Sequence, residues 1–171
     1  PKKKTRLIEN IKDGPYPFWL QDRLLTMRLR PINKIIDISN FVMMETGQPL
    51  HAFDFDNLAE NRIVVRTASE GEKFTTLDEK ERTLSADMLM ICDGEKPVAV
   101  AGVMGGLNSE IEEKTSRVLI ESAYFDPASI RKTAKKLGLN TDASHRFERG
   151  VDPEGTLTAL NRAAQLMAEI G

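Results

Sequence analysis

The chain has 171 residues, 40% of them hydrophobic, and a formal net charge of −2 at pH 7. This size allows one sizeable hydrophobic core, or two small lobes that share one, and we expect a single domain over residues 1–171. The near-neutral charge excludes a global positive field for nucleic acid, so any contact with RNA must come from a local patch.

Signals of cellular compartment are few. The single cysteine, Cys92, excludes an internal disulfide framework and fits a reducing compartment. No run of about 18 apolar residues is present to span a bilayer, and the N-terminal residues lack the apolar segment of a secretory signal. We therefore expect a cytoplasmic chain that does not enter a membrane. Because it begins without Met and stops just after a helical pattern, we also expect a segment of a longer protein.

The N-terminal part is predicted to be mainly helical. RLIENI (6–11) alternates like a short strand, and PYPFWLQDRLLTMR (15–28) is typical of a helix opened by proline-rich turn chemistry. A second helix, which Gly47 would end, carries apolar residues near one face. These residues are Ile32, Ile35, Ile36 and Phe41.

A β-rich middle follows. It consists of short β-branched or apolar runs separated by Gly, Asp and Ser turn signals. The runs are RIVVRTA (62–68), KFTTLD (73–78), ERTLS (81–85), MLMICDG (88–94), PVAVAGV (97–103) and RVLIESAYF (117–125).

The C-terminal part is again predicted to be helical. Asp126, followed by proline, predicts the start of a helix over residues 127–138, which a glycine would end. Residues 139–152 are predicted to form a loop, and a last helix begins near Pro153. Its predicted buried stripe is Leu157, Leu160, Ala164 and Met167. Helices first, strands in the middle and helices last predict an α+β fold with a largely antiparallel sheet.

Glu121 is the most informative single residue. With a period of two it shares a strand face with Leu119 and Ala123, so the carboxylate lies among apolar side chains. A buried carboxylate is unfavourable unless a donor meets it. Two interpretations are open: an ion pair with an arginine such as Arg117 or Arg146, or a role in reading a ligand.

His51 lies in GQPLHAFDFD (47–56), beside two phenylalanines. It is either a packed imidazole with its nitrogens satisfied by backbone, or a general base or water-positioning group. Asp54 and Asp56 follow it, but no spacing matches a zinc or calcium loop, so no metal site is predicted. We expect the two aspartates to cap a turn.

Two further features have two interpretations each. AGVMGGLNSE (101–110) matches neither nucleotide-binding glycine pattern, and fits a tight turn after a buried strand or backbone brought close to a ligand. The 127–138 helix carries basic residues on one side, which fit a solvated face or a contact with phosphates. They are Arg131, Lys132, Lys135 and Lys136.

Five motifs together resemble, in order and spacing, the B3/B4 domain of the bacterial phenylalanyl-tRNA synthetase β subunit. They are RPINKIIDISNFV (30–42), GQPLHAFD (47–54), GVMGG (102–106), LIESAYFDP (119–127) and NTDASHRFERGVDP (140–153). The resemblance covers nearly the whole chain. It implies a three-layer β/β/α sandwich, largely antiparallel, of the B3/B4 type.

The resemblance also implies an editing activity, the hydrolysis of tyrosine wrongly esterified to tRNA(Phe). It implies that Glu121 recognises the tyrosine hydroxyl and that His51 helps to place the attacking water. The polar groups implied near that water are Arg30 and Asn40, and the small residues of the pocket wall are Gly105, Thr141 and Ala143. Whether His51 or the terminal ribose hydroxyl of the tRNA activates the water stays open.

For the whole synthetase, the resemblance implies attachment of phenylalanine to tRNA(Phe) with ATP and Mg²⁺. It implies an α subunit, in an assembly of two α and two β subunits, and the tRNA 3′ end as partners. No cofactor is expected in this segment, because ATP and Mg²⁺ would bind in other domains. The alternatives are a noncatalytic structural or RNA-docking domain of the same synthetase, or another enzyme that uses this fold. The joint presence of Glu121, His51, Thr141 and Ala143 favours editing.

Overall fold

The computed structural model describes residues 2–12 and 17–170. The helices are α1 (Phe18–Thr26), α2 (Lys34–Thr46), α3 (Pro127–Leu137), α4 (Asp142–Arg149) and α5 (Thr156–Ile170). The strands are β1 (Lys2–Ile8), β2 (Leu50–Asp54), β3 (Val64–Thr67), β4 (Lys73–Thr75), β5 (Glu81–Thr83), β6 (Leu89–Cys92), β7 (Pro97–Val100), β8 (Met104–Gly105) and β9 (Val118–Tyr124). The predicted α+β class with antiparallel sheets is confirmed.

The chain forms two compact units. We call the first the helix-covered unit; it comprises Lys2–Asp54, Ile111–Tyr124 and Val151–Gly171. The second, the β-rich unit, comprises Phe55–Glu110 and Phe125–Gly150. Across the described residues, no helix is long and apolar enough to cross a membrane.

A three-stranded antiparallel sheet forms the centre of the helix-covered unit. Its middle strand is β9, with β1 on one side and β2 on the other. Successive side chains of a strand point to opposite faces. One face carries Val118 and Ile120, which form a hydrophobic core with buried residues of α1, α2 and α5. The other face carries Glu121, so the helices pack on the side away from this carboxylate.

The start and end of α2 follow from local chemistry. The Asn33 side chain accepts a hydrogen bond from the backbone N–H of Ile36 (2.9 Å), and Gly47 adopts a left-handed conformation (φ 76°) that ends the helix as predicted. The predicted apolar face is partly wrong. Ile32 precedes the cap and is 66% exposed, while Ile38 and Val42 are fully buried.

The N-terminal strand begins and ends earlier than predicted. The expected strand at residues 6–11 is observed as β1, which starts at Lys2 and ends at Ile8. A lysine run is unusual in a strand, but β1 is an edge strand, where charged side chains reach solvent. The predicted helix at residues 15–28 is present as α1, whereas its proline-rich start includes residues 15 and 16, which lie outside the described residues.

The β-rich unit contains a four-stranded antiparallel sheet in the order β3-β6-β7-β8 and a two-stranded sheet, β4-β5. Each predicted run in the middle of the chain contains one of the observed strands. The helix predicted after Asp126 is confirmed as α3. The Asp126 carboxylate accepts from the backbone N–H of Ser129 (3.0 Å), and Gly138 ends the helix at φ 66°.

The loop predicted over residues 139–152 is wrong, because this segment contains α4. The helix begins with a reciprocal cap: Ser144 N donates to Thr141 Oγ1 (3.0 Å), and Thr141 N donates to Ser144 Oγ (3.0 Å). Serine stands where Glu or Gln usually completes such a cap. Few α4 residues are buried, Phe147 being the one large apolar side chain among them, so the sequence shows no clear helical stripe.

The last helix starts after a short 3₁₀ turn at Pro153–Gly155. Three residues of its predicted stripe are buried, namely Leu160, Ala164 and Met167. Leu157 is 47% exposed, so its predicted place in the stripe is wrong. The buried face is centred on Thr156, Leu160, Ala163 and Met167, which puts Leu157 at its margin.

Candidate functional site

The sheet of the helix-covered unit brings two of the candidate residues together. His51 on β2 lies directly opposite Glu121 on β9. Opposite residues of an antiparallel pair project from the same face, with Cβ atoms ~5 Å apart. On the other side of β9, Thr5 of β1 lies opposite Glu121. Glu121 is therefore at the centre of a row of three polar residues across the sheet.

The Glu121 carboxylate is buried among apolar side chains, as its strand pattern predicts. Glu121 is 6% exposed, and its same-face neighbours Leu119, Ala123 and Phe53 are 9%, 2% and 0% exposed. Its Oε2 atom is buried and has no hydrogen-bond partner. A buried acceptor without a donor costs about 1–3 kcal/mol, and more when it is charged. Oε2 thus has an open position for a donor.

Among the described residues, the cation paired with this carboxylate is Lys3, and not one of the two arginines that the sequence suggested. Lys3 Nζ lies 3.6 Å from Glu121 Oε2, and the side chains are 16% and 7% exposed. The pair is close enough to be an ion pair but too long for a hydrogen bond. Lys3 reaches Glu121 because β1 pairs with β9, with Lys3 opposite Ala123.

Burial and mutual attraction act in opposite directions on this pair. Burial raises the pKa of the Glu121 carboxyl, and attraction to the Lys3 ammonium partly offsets that rise. Burial lowers the pKa of Lys3, and Glu121 partly offsets that fall. Each charge therefore offsets part of the desolvation of the other.

His51 is a neutral imidazole at neutral pH. Its ring packs edge-on against Phe53, with ring centroids 4.4 Å apart and an interplanar angle of 73°. Although part of its surface is accessible, the surrounding protein desolvates the ring and lowers its pKa to about 4. One ring nitrogen of a neutral imidazole can accept a hydrogen bond. The packed ring can therefore also hold a water molecule.

This shift in the pKa of His51 should make stability depend on pH. The ordinary pKa is 6.5 and the folded-state pKa is about 4. Between these values the unfolded chain binds more protons than the folded chain, so the free energy of unfolding rises with pH. Stability should therefore fall as the pH drops from 6.5 towards 4. The free energy of unfolding, measured with urea at several pH values in this range, should change less steeply with pH in His51→Gln than in the wild type. If the free energy of unfolding had the same pH dependence in both proteins, the lowered pKa of His51 would be refuted.

Gln48 links the segment before β2 to β9, a contact that no sequence motif indicates. This residue is 4% exposed, and its Nε2 donates to the backbone oxygens of Ala123 (2.8 Å) and Pro49 (3.0 Å). The bond to Ala123 holds the start of β2 against β9. It thereby supports the register that sets His51 opposite Glu121. The available signal was a polar amide placed directly after the helix-ending glycine.

Arg30 and Asn40 are not joined to this pair by any hydrogen bond among the described residues. Arg30 is exposed in the segment between α1 and α2, and Asn40 is half-buried on α2. The buried side of α2 contributes to the core that contains Ile120, on the sheet face opposite Glu121. The implied roles of Arg30 and Asn40 near the attacking water stay predictions.

The other three candidate residues lie in the β-rich unit. Gly105 is on β8 and pairs with Ala99 of β7. Thr141 caps α4, and its Oγ1 donates to the backbone oxygen of Val103 (2.7 Å). Ala143 is half-buried in the first turn of α4. Thr141 thus ties the start of α4 to the segment just before β8, while the implied role of all three in a pocket wall stays a prediction.

Two glycines of the GVMGG segment are required by packing. Gly102 has φ +70°, and a Cβ there would lie 2.8 Å from Ile130 Cδ1 and 2.9 Å from Phe125 Cδ2. A Cβ at Gly106 would lie 2.5 Å from Phe74 Cζ. Gly102 therefore fits the interpretation as a tight turn after a buried strand, whereas Gly106 is extended backbone packed closely against Phe74.

The basic side of α3 is largely paired within its own unit. Lys136 Nζ and Lys132 Nζ lie 2.9 Å and 3.6 Å from Asp87 Oδ2. Arg131 donates to the backbone oxygen of Glu148 (3.2 Å). These contacts favour a solvated ion-paired face over a phosphate contact.

The last residue of β2, Asp54, pairs with a hydroxyl. The Asp54 carboxylate accepts a hydrogen bond from Thr115 Oγ1 (2.8 Å). In the part of the chain that the structure describes, no group of three or more His, Cys, Asp or Glu side chains is arranged to hold a metal ion.

Comparison with known proteins defines the class of this domain. Residues 1–171 match the B3/4 domain family, and the chain belongs to that family. The resemblance carried by the five motifs is therefore confirmed.

Similar proteins include two phenylalanine–tRNA ligase β subunits. The one from Syntrophus aciditrophicus is 60% identical over 170 residues, which are 99% of this chain and 21% of the relative. The one from Halalkalibacterium halodurans is 56% identical over 164 residues, 96% of this chain and 20% of the relative. The chain thus spans about a fifth of the length of these curated relatives.

A solved structure shares the fold. It is the crystal structure of an N-terminal fragment of the phenylalanyl-tRNA synthetase β subunit from Pyrococcus horikoshii, with a TM-score of 0.63 and 16% identity. The match covers 100% of this chain and 45% of the other chain. At this identity the likeness concerns the fold alone.

Proposed function

We propose that this chain is the editing domain of a phenylalanyl-tRNA synthetase β subunit and hydrolyses the ester of tyrosine wrongly attached to tRNA(Phe). The observation that carries the proposal is the buried Glu121 carboxylate, which has an unfilled hydrogen-bond position and lies opposite His51. The name of the relatives, phenylalanine–tRNA ligase β subunit, supplies the amino acid and the tRNA.

Selectivity in this proposal depends on one hydroxyl group. Tyrosine differs from phenylalanine by its phenol O–H, and Glu121 Oε2 would accept a hydrogen bond from it. The phenylalanyl ester would leave this buried oxygen unpaired. A site that must bond a substrate hydroxyl discriminates strongly against the analogue that lacks it.

The reaction is attack of water on the ester carbonyl carbon. The bond from that carbon to the ribose oxygen breaks, the ribose oxygen leaves as a hydroxyl, and free tyrosine and tRNA are formed. His51 is neutral and accepts a hydrogen bond from the water. Its low pKa makes it a weak base, so it orients the water more effectively than it removes the proton. The terminal ribose hydroxyl is the other candidate for proton transfer.

The wider setting belongs to the same proposal. We infer that the intact cytoplasmic synthetase pairs this β subunit with an α subunit and attaches phenylalanine to tRNA(Phe) with ATP and Mg²⁺ bound in other domains. In this setting the partner of the present chain is the tRNA 3′ end. The competing proposal is a noncatalytic RNA-docking domain. It predicts that the chain binds tRNA but does not hydrolyse the ester.

The test uses the full-length synthetase that contains this segment, assembled with its α subunit. Purified tRNA(Phe) charged with labelled tyrosine or with labelled phenylalanine is added, and release of the free amino acid is followed. The tyrosyl ester should disappear faster than the phenylalanyl ester and faster than without protein. Binding of the charged tRNA with ester loss only at the spontaneous rate would favour the docking domain.

A further inference from the structure

We propose that Lys3 is a specificity residue of this site: its ammonium group donates a hydrogen bond to the tyrosine phenol oxygen while Glu121 accepts the phenol proton. This inference rests on the proposed function. It adds a contact between Lys3 and the tyrosine hydroxyl to the contact proposed for Glu121.

The separation of the two groups fits such a bridge. Lys3 Nζ and Glu121 Oε2 are 3.6 Å apart, and Oε2 has no hydrogen-bond donor. A hydroxyl oxygen about 2.8 Å from each atom would contact both of them. A hydroxyl can donate and accept at once, so the phenol satisfies both groups, whereas a bare phenyl ring satisfies neither.

The position of Lys3 on the sheet directs it to this carboxylate. On the face that carries Glu121, β1 contributes Lys3, Thr5 and Leu7, and β2 contributes His51 and Phe53. His51 is neutral at pH 7, because desolvation lowers its pKa to about 4. Among these described residues of the two flanking strands, Lys3 is therefore the one positive charge beside Glu121.

Lys3 also controls the protonation of the acceptor. Burial raises the pKa of Glu121, and Lys3 opposes that rise. Removal of the ammonium should therefore raise the pKa of Glu121 further and convert more of the carboxylate into a carboxylic acid. An ionised acceptor forms the stronger hydrogen bond with a phenol. Loss of Lys3 therefore removes one hydrogen-bond donor to the phenol oxygen and also weakens the hydrogen bond from the phenol to Glu121.

The test compares Lys3→Met and Lys3→Arg with the matched control Lys4→Met in the assembled full-length synthetase. Lys4 is the next residue of β1, so its side chain projects from the sheet face opposite to that of Lys3. It is exposed and lies opposite Ser122 of β9. The measurements are kcat/KM for tyrosyl-tRNA(Phe) and phenylalanyl-tRNA(Phe) over a range of pH. Lys3→Met should lower the ratio of kcat/KM for the tyrosyl ester to kcat/KM for the phenylalanyl ester about tenfold. It should also move the acid limb of the tyrosine profile to higher pH, while Lys3→Arg keeps most of the ratio and Lys4→Met keeps all of it.

The outcomes separate the two proposals. If the wild type edits the tyrosyl ester and Lys3→Met shows the same ratio and pH profile, this inference fails while the proposed function stands. If Lys3→Met slows both esters equally, the role of Lys3 is merely structural and the inference also fails. A wild type that leaves the tyrosyl ester intact overturns the proposed function first and this inference with it.

Discussion

Replacement of Glu121 by alanine is expected to remove most of the preference for the tyrosyl ester. The carboxylate is buried, and its Oε2 has no donor, so a phenol hydrogen bond to it has no competitor from within the described residues. Hydrogen bonds to charged groups contribute about 1.5–3 kcal/mol, which corresponds to a roughly 10- to 150-fold loss in kcat/KM for tyrosyl-tRNA(Phe). Hydrolysis of phenylalanyl-tRNA(Phe), which lacks the hydroxyl, should change little.

The control for Glu121→Ala removes another acid of the same unit. Glu112 has a half-exposed side chain, with Oε2 3.2 Å from Lys114 Nζ, so Glu112→Ala should retain the wild-type ratio between the two esters. If the role of Glu121 were only to pair with Lys3, Glu121→Ala would alter the midpoint of thermal unfolding and leave the ratio unchanged. That result would reject the hydroxyl-reading role.

Replacement of His51 by alanine should slow both esters by a similar factor. Because His51 is expected to act on the water and not on the phenol, kcat should fall roughly 100-fold, KM should change little, and the tyrosine preference should persist. Since the pKa of His51 is about 4, protonation of this residue should not reduce the wild-type rate around neutral pH. His145→Ala is the matched control, because this second histidine is exposed on α4.

Single-turnover hydrolysis of both esters separates the roles considered for His51. Undiminished hydrolysis in His51→Ala, with lower thermal stability, would show that the imidazole only packs against Phe53. A tRNA that lacks the free hydroxyl of its terminal ribose adds a second comparison. If that substrate is inert while His51→Ala stays active, the ribose hydroxyl activates the water.

Features with a local chemical cause could be predicted from the sequence. Gly47 and Gly138 end helices because their left-handed conformations are unfavourable for other residues, and Asp126 caps a helix with its own carboxylate. The burial of Glu121 followed from the alternation of its strand. In each case the determining atoms lie within a few residues of one another.

Features that depend on packing could not be predicted in this way. The sequence pattern does not predict helix α4, because the helix starts with a Thr141–Ser144 cap and has a mostly polar surface. Leu157 fits the helical period, but the actual centre of the buried face leaves it exposed. Periodicity shows that a stripe exists, but the neighbouring elements determine where it is centred.

The site itself depends on strand order and register. The sequence indicates His51 and Glu121 as separate candidates and gives Lys3 no role, and the order β1-β9-β2 places the three on one face. No local pattern indicates that Lys3 pairs with Glu121, because the pairing depends on the register between β1 and β9. The Gln48 bond to β9 likewise joins residues that are far apart in the sequence, so no local pattern indicates it.

The most direct test is a crystal structure of the full-length synthetase with a non-hydrolysable tyrosyl analogue of the charged tRNA 3′ end, in which an amide replaces the ester. We expect the phenol oxygen within about 3 Å of a Glu121 carboxylate oxygen and of Lys3 Nζ. The imidazole of His51 should face the amide that stands in for the ester. A bound analogue whose phenol contacts other residues, with the Glu121 oxygen still unpaired, would contradict the reading of tyrosine by this carboxylate.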